Sequence, residues 1–428
     1  MREDSVEEFT DRLAGQSARL CVGNGMDAGT QIGPLISGAA VEAARGHFLA
    51  PLVLGGVDPD AAILREEVFA PVAPAVAFRD EDEAIRMAND TDMGLASYVY
   101  SAGLARALRI GEALEMSPLD LGFATLPNRA LMGSMHLRLE EAEQGFERMA
   151  VFYAARARGG AGLIVTGGFA PDERGRSAPE AAKLTTPAEA ERHTLVTEAV
   201  HRAGGRIALQ ILHHGRYARH PDLVAPSAIR SPISARLPHE LTGDEVEETI
   251  EAFARAAGLA KAAGYDGVEI LGSEGYLVNE FTAPATSHRT DRWGGTPGNR
   301  MRFPAEIVRR VRERAGAGFI LIYRLSMLDL VPGGSALEEV VALAQAIEAA
   351  GATIINTGIG WHEARVPTIA TSVPRGAYTW VTRALRGSVS VPLVTGNRIN
   401  TPRSPSRCSP RAAPTWSPWP VRSSPTRT

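Results

Sequence analysis

The chain has 428 residues, of which 44% are hydrophobic and 22% charged, so it is long enough for two or three globular domains. Its formal net charge of -4 gives no general attraction to nucleic acid or to anionic membranes, and no apolar run is long enough to span a bilayer. Only two cysteines are present, which excludes a disulfide framework or a four-cysteine metal site within this chain, and the cytoplasm is the expected compartment.

Residues 1–115 carry the pattern of a small α/β segment. The apolar runs Phe48–Val57 and Val72–Phe78 have the length of strands. The stretch Asp80–Asn89 opens with acidic residues and continues as a short helical segment, which is typical of a helix N-terminus. Cys21 falls at a strand-like position, which predicts a buried structural thiol and not a nucleophile.

This first region is similar to the C-terminal part of an aldehyde dehydrogenase. The matching segments are VGNGMDAGTQIGPLIS, REEVFAPVAP and FRDEDEAIRMANDTDMGLASYVYSAGLARALRIGEALE. The resemblance implies a vestigial contact with the NAD ribose at Glu67, with Phe69 beside it. The nucleotide-binding segment and the catalytic cysteine block of that family have no counterpart here, so we expect no aldehyde dehydrogenase activity.

Residues 116–402 alternate between strand-like apolar runs and amphipathic helices, the clearest helices being Glu245–Ala263 and Leu337–Ala350. Near-continuous apolar strands imply a parallel sheet covered by helices. Polar residues that recur just after each strand favour a (β/α)8 TIM barrel over a doubly wound sheet. We predict an α/β fold, a truncated barrel of about seven strands at residues 130–135, 162–169, 206–214, 267–273, 319–326, 353–361 and 392–398.

The predicted strand ends, where barrel enzymes place their sites, are rich in hydrogen-bond donors, glycines and cations. Such a set suits a planar anionic ligand such as a flavin. Gln210 could bind the pyrimidine edge of a flavin, and Arg324 could stabilise the negative charge of its reduced ring. Structural roles stay open as well: Arg324 as an ion-pair partner, Tyr276 as a core residue, and His213 as a hydrogen-bonded histidine.

The barrel region is similar to the NADPH-dependent 2,4-dienoyl-CoA reductases of the Old Yellow Enzyme family. The similarity runs through PLDLGFATLPNRALMGSMH, IALQILHHGRYARHPDLVAPSAI, AGYDGVEILGSEGYLVNEF, IYRLSMLDLV and TGIGWHEARVPTIA. It implies an FMN-dependent oxidoreductase of fatty acid β-oxidation that transfers a hydride from reduced FMN to an unsaturated acyl-CoA. Tyr276 would donate the proton, since a phenol with a pKa of about 10 keeps its proton at neutral pH, and His362 would be its partner.

The same resemblance implies the residues that contact each ligand. The implied FMN-binding residues are Met135, His136, Gly168, Gln210, Arg324, Gly396, Asn397 and Arg398. The implied substrate-binding residues are His213, Glu363 and Arg365, and no metal is expected. Two alternatives stay open, namely another Old Yellow Enzyme-like ene reductase and a poorly folded fusion product that binds no flavin.

The complete enzymes of that family take electrons from NADPH through FAD and a 4Fe–4S cluster, and neither group is encoded in this chain. We therefore expect an external electron donor or a partner reductase. The barrel would occupy residues 116–402, after an aldehyde dehydrogenase fragment at 1–115. We expect residues 403–428 to be a frameshifted, disordered tail, because regrouping their codons by one nucleotide restores an eighth strand with a phosphate-binding MARP motif.

Overall fold

The structure is a computed structural model that describes residues 3–20, 52–58, 61–65, 72–89, 118–374 and 376–398. The chain forms two units that divide at Met116. Predictions for Cys21, Glu67, Phe69 and the tail at 403–428 lie outside the described residues.

The described part of the first unit contains two strands and three helices. Strand β1 (Leu52–Leu54) pairs in parallel with β2 (Val72–Pro74). The acidic cluster caps a helix as its sequence indicates, because the Asp80 carboxylate accepts a hydrogen bond of 2.8 Å from the backbone N–H of Glu83. The helices are α1 (Glu3–Ser17), α2 (Ala62–Arg65) and α3 (Glu81–Asn89).

The second unit contains seven parallel strands that neighbour one another in space in the same order as in the chain. They form a nearly closed barrel, which confirms the predicted fold. Within the described residues, each outer strand is paired on one side only and over two residues. The barrel strands are β5 (Leu131–Met132), β6 (Leu163–Phe169), β7 (Ile207–Ile211), β10 (Gly267–Gly272), β11 (Ile320–Leu328), β12 (Ile354–Ile359) and β13 (Leu393–Val394). Two short pairs lie outside the barrel sheet: β3 (Leu119–Asp120) with β4 (Thr125–Leu126), and β8 (Val224–Ala225) with β9 (His239–Glu240).

Amphipathic helices follow the barrel strands and bury their apolar faces. In the helix over 302–315, for example, Phe303 is buried and stacks on Phe281 with ring centroids 3.9 Å apart. No helix in the described part of the chain is both long and apolar enough to cross a bilayer. The helices are α4 (Gly145–Arg158), α5 (Pro187–Arg202), α6 (Gly243–Ala262), α7 (Leu277–Thr282), α8 (Pro297–Arg300), α9 (Arg302–Ala315), α10 (Leu337–Ala349) and α11 (Thr379–Leu385).

A capping box begins α6, which lies within two residues of the helix predicted from sequence. Thr242 Oγ1 accepts from the Glu245 backbone N–H at 3.2 Å, and the Glu245 carboxylate accepts from the Thr242 N–H at 2.8 Å. We expect Thr242→Ala to lower the free energy of unfolding by about 1 kcal/mol, measured by urea denaturation. The control Thr242→Ser keeps a hydroxyl cap and should retain most of that stability; an equal loss in both variants would argue against the cap.

His193 is a fully buried titratable group on α5. Its Nδ1 lies 2.8 Å from the Tyr265 hydroxyl, and its Nε2 has no hydrogen-bond partner among the described residues. Burial, helped by the nearby charge of Arg192, lowers the pKa of His193 to about 3. The folded chain therefore keeps this ring neutral at a pH where the unfolded chain, with a histidine pKa near 6.5, is protonated.

This histidine should make the barrel sensitive to acid. Between pH 7 and pH 5 the unfolded state takes up a proton that the folded state does not, so the free energy of unfolding should fall by about 2 kcal/mol on account of His193. The free energy of unfolding, measured by urea denaturation at both pH values, should change less with pH for His193→Phe than for the parent chain. Equal slopes would mean that His193 is protonated in the folded state.

Candidate active site

Polar side chains lie on four neighbouring barrel strands, in the middle or toward the carboxyl end of each. Glu269 on β10 lies in register with Gln210 on β7, and Arg324 on β11 lies in register with Asn356 on β12. Glu269 is fully buried, and its two carboxylate oxygens accept hydrogen bonds from Gln210 Nε2 at 2.7 Å and Asn356 Nδ2 at 2.8 Å. This carboxylate therefore holds two amides in fixed orientations.

Arg324 is held at the same end of the barrel by Glu274. Its Nε and Nη2 donate to Glu274 Oε1 at 3.0 and 2.9 Å. Burial disfavours the charged guanidinium, but the carboxylates of Glu274 and Glu269 outweigh that effect and hold the pKa of Arg324 above its usual value. The ion pair uses two of the five guanidinium N–H groups, so a permanent cation with further donors is available at this position.

Tyr276 and His362 form a hydrogen-bonded pair. The Tyr276 hydroxyl lies 2.7 Å from His362 Nε2, and the two rings pack edge to face with their centroids 5.0 Å apart. His214 and Tyr217 contact the Tyr276 ring at centroid distances of 5.2 and 5.9 Å. Burial, with the charge of Glu274 as a second cause, raises the pKa of Tyr276 above its usual value, so the phenol keeps its proton at neutral pH.

The histidine of this pair is an exposed residue, and the rings of Tyr276 and Tyr217 pack against its imidazole. Burial lowers the pKa of His362, and the carboxylate of Glu274 opposes that effect only in part. The backbone N–H of His362 donates to the Glu274 carbonyl oxygen at 3.3 Å. The structure thus brings Tyr276, His362 and Arg324 together around one residue, Glu274.

The three predicted substrate-binding residues lie in different environments. His213 is buried; burial lowers its pKa to about 4, and its Nδ1 accepts from the Gly215 N–H at 3.1 Å. Glu363 is largely buried, and both of its carboxylate oxygens accept hydrogen bonds from protein groups. Arg365 is exposed in the same loop as His362. Of the three, Arg365 is the residue whose side chain is accessible to a ligand.

Three predicted flavin contacts lie on or just after β5 and β6, the first two strands of the barrel in chain order. Met135 and His136 follow β5 and are exposed, and His136 Nε2 lies 3.7 Å from Glu141. At Gly168 a Cβ atom would lie 2.6 Å from a Leu212 methyl carbon, so packing within the barrel requires glycine there.

The segment after β13 carries the predicted contacts Gly396, Asn397 and Arg398. Asn397 and Arg398 both adopt left-handed backbone conformations, with φ of 55° and 64°. Arg398 Nε donates to the Val373 carbonyl oxygen at 2.9 Å, and the Arg398 carbonyl accepts from the Gly376 N–H. These contacts hold Arg398 against Val373 and Gly376, and they do not link it to the Tyr276–His362 pair.

The residues at this end of the barrel fit a flavin. Gln210 and Arg324 supply an amide and a cation, which the pyrimidine edge of a flavin needs. Two glycines that follow β5 and β13 have open space where a side chain would be: no atom lies within 4 Å of where a Cβ on Gly133 would be, and on Gly396 the nearest is the Thr357 carbonyl oxygen at 3.4 Å. Among the described residues, no group of three or more His, Cys, Asp or Glu side chains could hold a metal ion.

Sequence reasoning did not single out Glu269 or Tyr217, and it gave Glu274 no role. The signal for Glu269 was present as a charged residue inside the apolar strand GVEILG. Nothing in the sequence indicates that Tyr217 contacts Tyr276, because the two residues are far apart along the chain and meet only when β7 and β10 pair.

Comparison with known proteins identifies two family matches. The model of the NADH:flavin oxidoreductase / NADH oxidase family matches residues 116–408, about two thirds of the chain. The model of the aldehyde dehydrogenase family matches residues 38–123. The second match covers two of the three segments in which the sequence resembles that family, and it extends past the predicted boundary at residue 115 to residue 123.

Individual relatives agree with the first of these matches. A metal reductase of Desulforamulus reducens is 40% identical over 291 residues, which cover 67% of this chain and 43% of the relative. An NADPH dehydrogenase of a Geobacillus species is 33% identical over 252 residues, covering 58% of this chain and 74% of the relative. A solved 2-naphthoyl-CoA reductase in complex with 2-naphthoyl-CoA superposes with a TM-score of 0.65 at 27% identity, covering 68% of this chain and 48% of that one. The chain therefore spans less than half the length of two of these three proteins.

Proposed function

The chain belongs to the NADH:flavin oxidoreductase / NADH oxidase family, and from that premise we propose that its barrel is an FMN-dependent ene-reductase module acting on unsaturated acyl-CoA thioesters, of the 2,4-dienoyl-CoA reductase type. The observation that carries the proposal is the Tyr276–His362 hydrogen bond of 2.7 Å at the barrel end that also carries Arg324 and Gln210. A proton donor and a set of flavin-binding groups at one end are what reduction of a polarised double bond requires.

Reduced FMN, when bound, supplies a hydride to the substrate. In this proposal Gln210 binds the pyrimidine edge of the cofactor and Arg324 stabilises its negative charge. Met135, His136 and Gly168 would line the ring, and the phosphate would bind near the backbone of residues 396–398.

The protein's own contribution to the chemistry is a held proton. Tyr276 keeps its proton on the phenol oxygen and delivers it to the carbon next to the thioester carbonyl. His362 orients that hydroxyl through Nε2. Because burial lowers its pKa, His362 stays neutral and does not compete as an acid.

An acyl-CoA substrate is supported by the surface near His362. Two loops there expose apolar side chains that could accompany an acyl chain: Ile233 and Leu237 in one, Val366 and Ile369 in the other. Arg365, which precedes Val366 in the second loop, is exposed and would bind the thioester or the phosphates of the substrate. The solved relative that holds a CoA thioester is consistent with this substrate class. The electrons would come from NADPH through an external donor or a partner reductase.

The test is anaerobic reoxidation of the reduced flavoprotein. The purified full chain, loaded with FMN and reduced with dithionite, would be mixed with 2,4-hexadienoyl-CoA or with 2-cyclohexenone while flavin absorbance is followed. Faster reoxidation by the thioester supports the proposal. A preference for cyclohexenone would favour a different Old Yellow Enzyme-like ene reductase, and protein that retains no flavin would favour an inactive fusion product.

A further inference from the structure

Glu363, next to His362 in the chain, is held by three hydrogen-bond donors. Arg216 Nη2 donates to its Oε1 at 2.9 Å, and the hydroxyls of Tyr217 and Ser231 donate to its Oε2 at 3.0 and 2.8 Å. The Arg216 and Glu363 side chains are only 4% and 9% exposed. These donors come from residues 132 to 147 positions earlier in the chain, so the contact joins distant loops.

A second contact continues this network to the helix that begins at Tyr276. The Arg216 backbone N–H donates to Glu280 Oε1 at 2.9 Å, and Glu280 lies on α7, which Tyr276 caps. Gly215 allows the approach, because it has φ of +56° and a Cβ there would lie 2.2 Å from the Glu280 carboxylate. The Arg216 guanidinium also lies 5.5 Å from the ring centroid of Trp361. Trp361 precedes His362 in the chain and Glu363 follows it, so Arg216 contacts both sequence neighbours of His362.

We propose that Glu363 is a positioning residue, which through Arg216, Tyr217 and Ser231 holds the loop of His362 in place so that Nε2 stays within hydrogen-bond distance of the Tyr276 hydroxyl. This proposal rests on the proposed function, in which Tyr276 is the proton donor. It replaces a direct substrate contact, because both oxygens of Glu363 already accept hydrogen bonds from the protein.

The energetics favour a rigid contact over a mobile one. Arg216 and Glu363 are both shielded from water, so separating them would leave each buried charge without the opposite charge that it contacts. The Tyr217 hydroxyl remains a donor, since burial and the neighbouring Glu363 carboxylate raise the pKa of Tyr217 above its usual value. Loss of any one donor would weaken the loop contact without removing a group that touches the reacting atoms.

The decisive measurement is the titration of His362 by NMR, which needs no catalysis. The chain has ten histidines, and the His362 signal is assigned by its disappearance in His362→Gln. We expect the pKa of His362 to rise toward its usual value in Glu363→Gln and Ser231→Ala, because a released loop carries the ring away from the Tyr276 and Tyr217 rings that pack against it. A His362 titration unchanged from the parent chain in both variants would overturn the proposal. Ser231→Ala removes one hydroxyl, so the test stands even if Glu363→Gln does not fold.

Kinetics provide the second readout. Glu363→Gln should lower the rate of flavin reoxidation by the thioester about 10- to 100-fold, with KM changed less than about twofold and a larger solvent deuterium isotope effect as proton delivery becomes limiting. A loss expressed wholly in KM would instead support substrate binding by Glu363 and overturn the proposal. If the parent flavoprotein does not react with the thioester, the proposed function fails while the NMR result still decides the positioning role.

A control is available in another ion pair, whose arginine is buried and whose glutamate is partly exposed. Glu339 accepts from Arg300 Nη2 at 2.8 Å, with the arginine side chain 8% exposed, and among the described residues neither has a hydrogen bond to the His362 loop. Glu339→Gln should leave the His362 titration as in the parent chain. A shift as large as that in Glu363→Gln would mean that the effect reflects general loss of stability, and the proposal would fall.

Discussion

Tyr276→Phe is expected to slow reoxidation of the reduced flavin by an unsaturated acyl-CoA by about 10²–10⁴-fold, the usual contribution of a positioned general acid. The substitution removes the hydroxyl that lies 2.7 Å from His362 Nε2 and keeps the ring that packs against His214 and Tyr217. Stopped-flow absorbance of the flavin measures the rate. The FMN content of the purified protein should not change.

The neighbouring tyrosine is the control for this substitution. Tyr217→Phe also removes a phenol hydroxyl from the same aromatic cluster, but that hydroxyl donates to Glu363 and not to His362. We expect a loss of no more than about tenfold, in line with one hydrogen bond. Equal losses in the two variants would mean that Tyr276 supports the cluster and does not deliver the proton.

Arg324→Met is expected to weaken FMN binding by about 10- to 100-fold. Hydrogen bonds from a charged group contribute about 1.5–3 kcal/mol, and the substitution removes them. It should also lower the reduction potential of bound FMN, because the cation stabilises the negative charge of the reduced ring. Fluorescence titration gives the Kd of FMN, and dye equilibration gives the potential.

Two variants separate cofactor binding from the ion pair. Arg324→Lys keeps the charge and loses the planar donor group, so its potential should fall less than that of Arg324→Met. Glu274→Gln keeps the guanidinium and removes its anionic partner, so FMN binding should be retained. An Arg324→Met variant with an unchanged Kd and an unchanged potential would reduce Arg324 to a structural partner of Glu274.

The barrel could be predicted from sequence because its strands are nearly continuous apolar runs with polar residues at their ends. All seven predicted runs overlap a strand of the barrel sheet: six contain the whole strand, and Ile320–Leu328 extends two residues past its run. The helices at 243–262 and 337–349 agree with their prediction to within two residues. Strand length was less predictable: the run at 130–135 pairs over two residues only. Pairing depends on the neighbouring strand, which local composition does not reveal.

The candidate site was predictable in part. Tyr276, His362, Arg324 and Gln210 follow from strand ends and family motifs, and the structure places them at one end of the barrel. The carboxylates that orient them do not follow from such motifs, because Glu269, Glu274 and Glu363 act through partners 50 to 147 residues away in sequence. The sequence predicts that Glu363 contacts substrate, and it does not show that both carboxylate oxygens already accept hydrogen bonds from protein groups.

The buried carboxylate of Glu269 has a consequence for ligand selection. Since it engages the amide nitrogen of Gln210, the amide oxygen is left pointing toward Gly168, where a Cβ would lie 3.1 Å from it. The barrel core thus fixes the polarity of this position before any ligand arrives: a ring with an N–H there gains a hydrogen bond, and a ring with a carbonyl there faces repulsion between two acceptors. Part of the discrimination among heterocycles is built into the strands themselves.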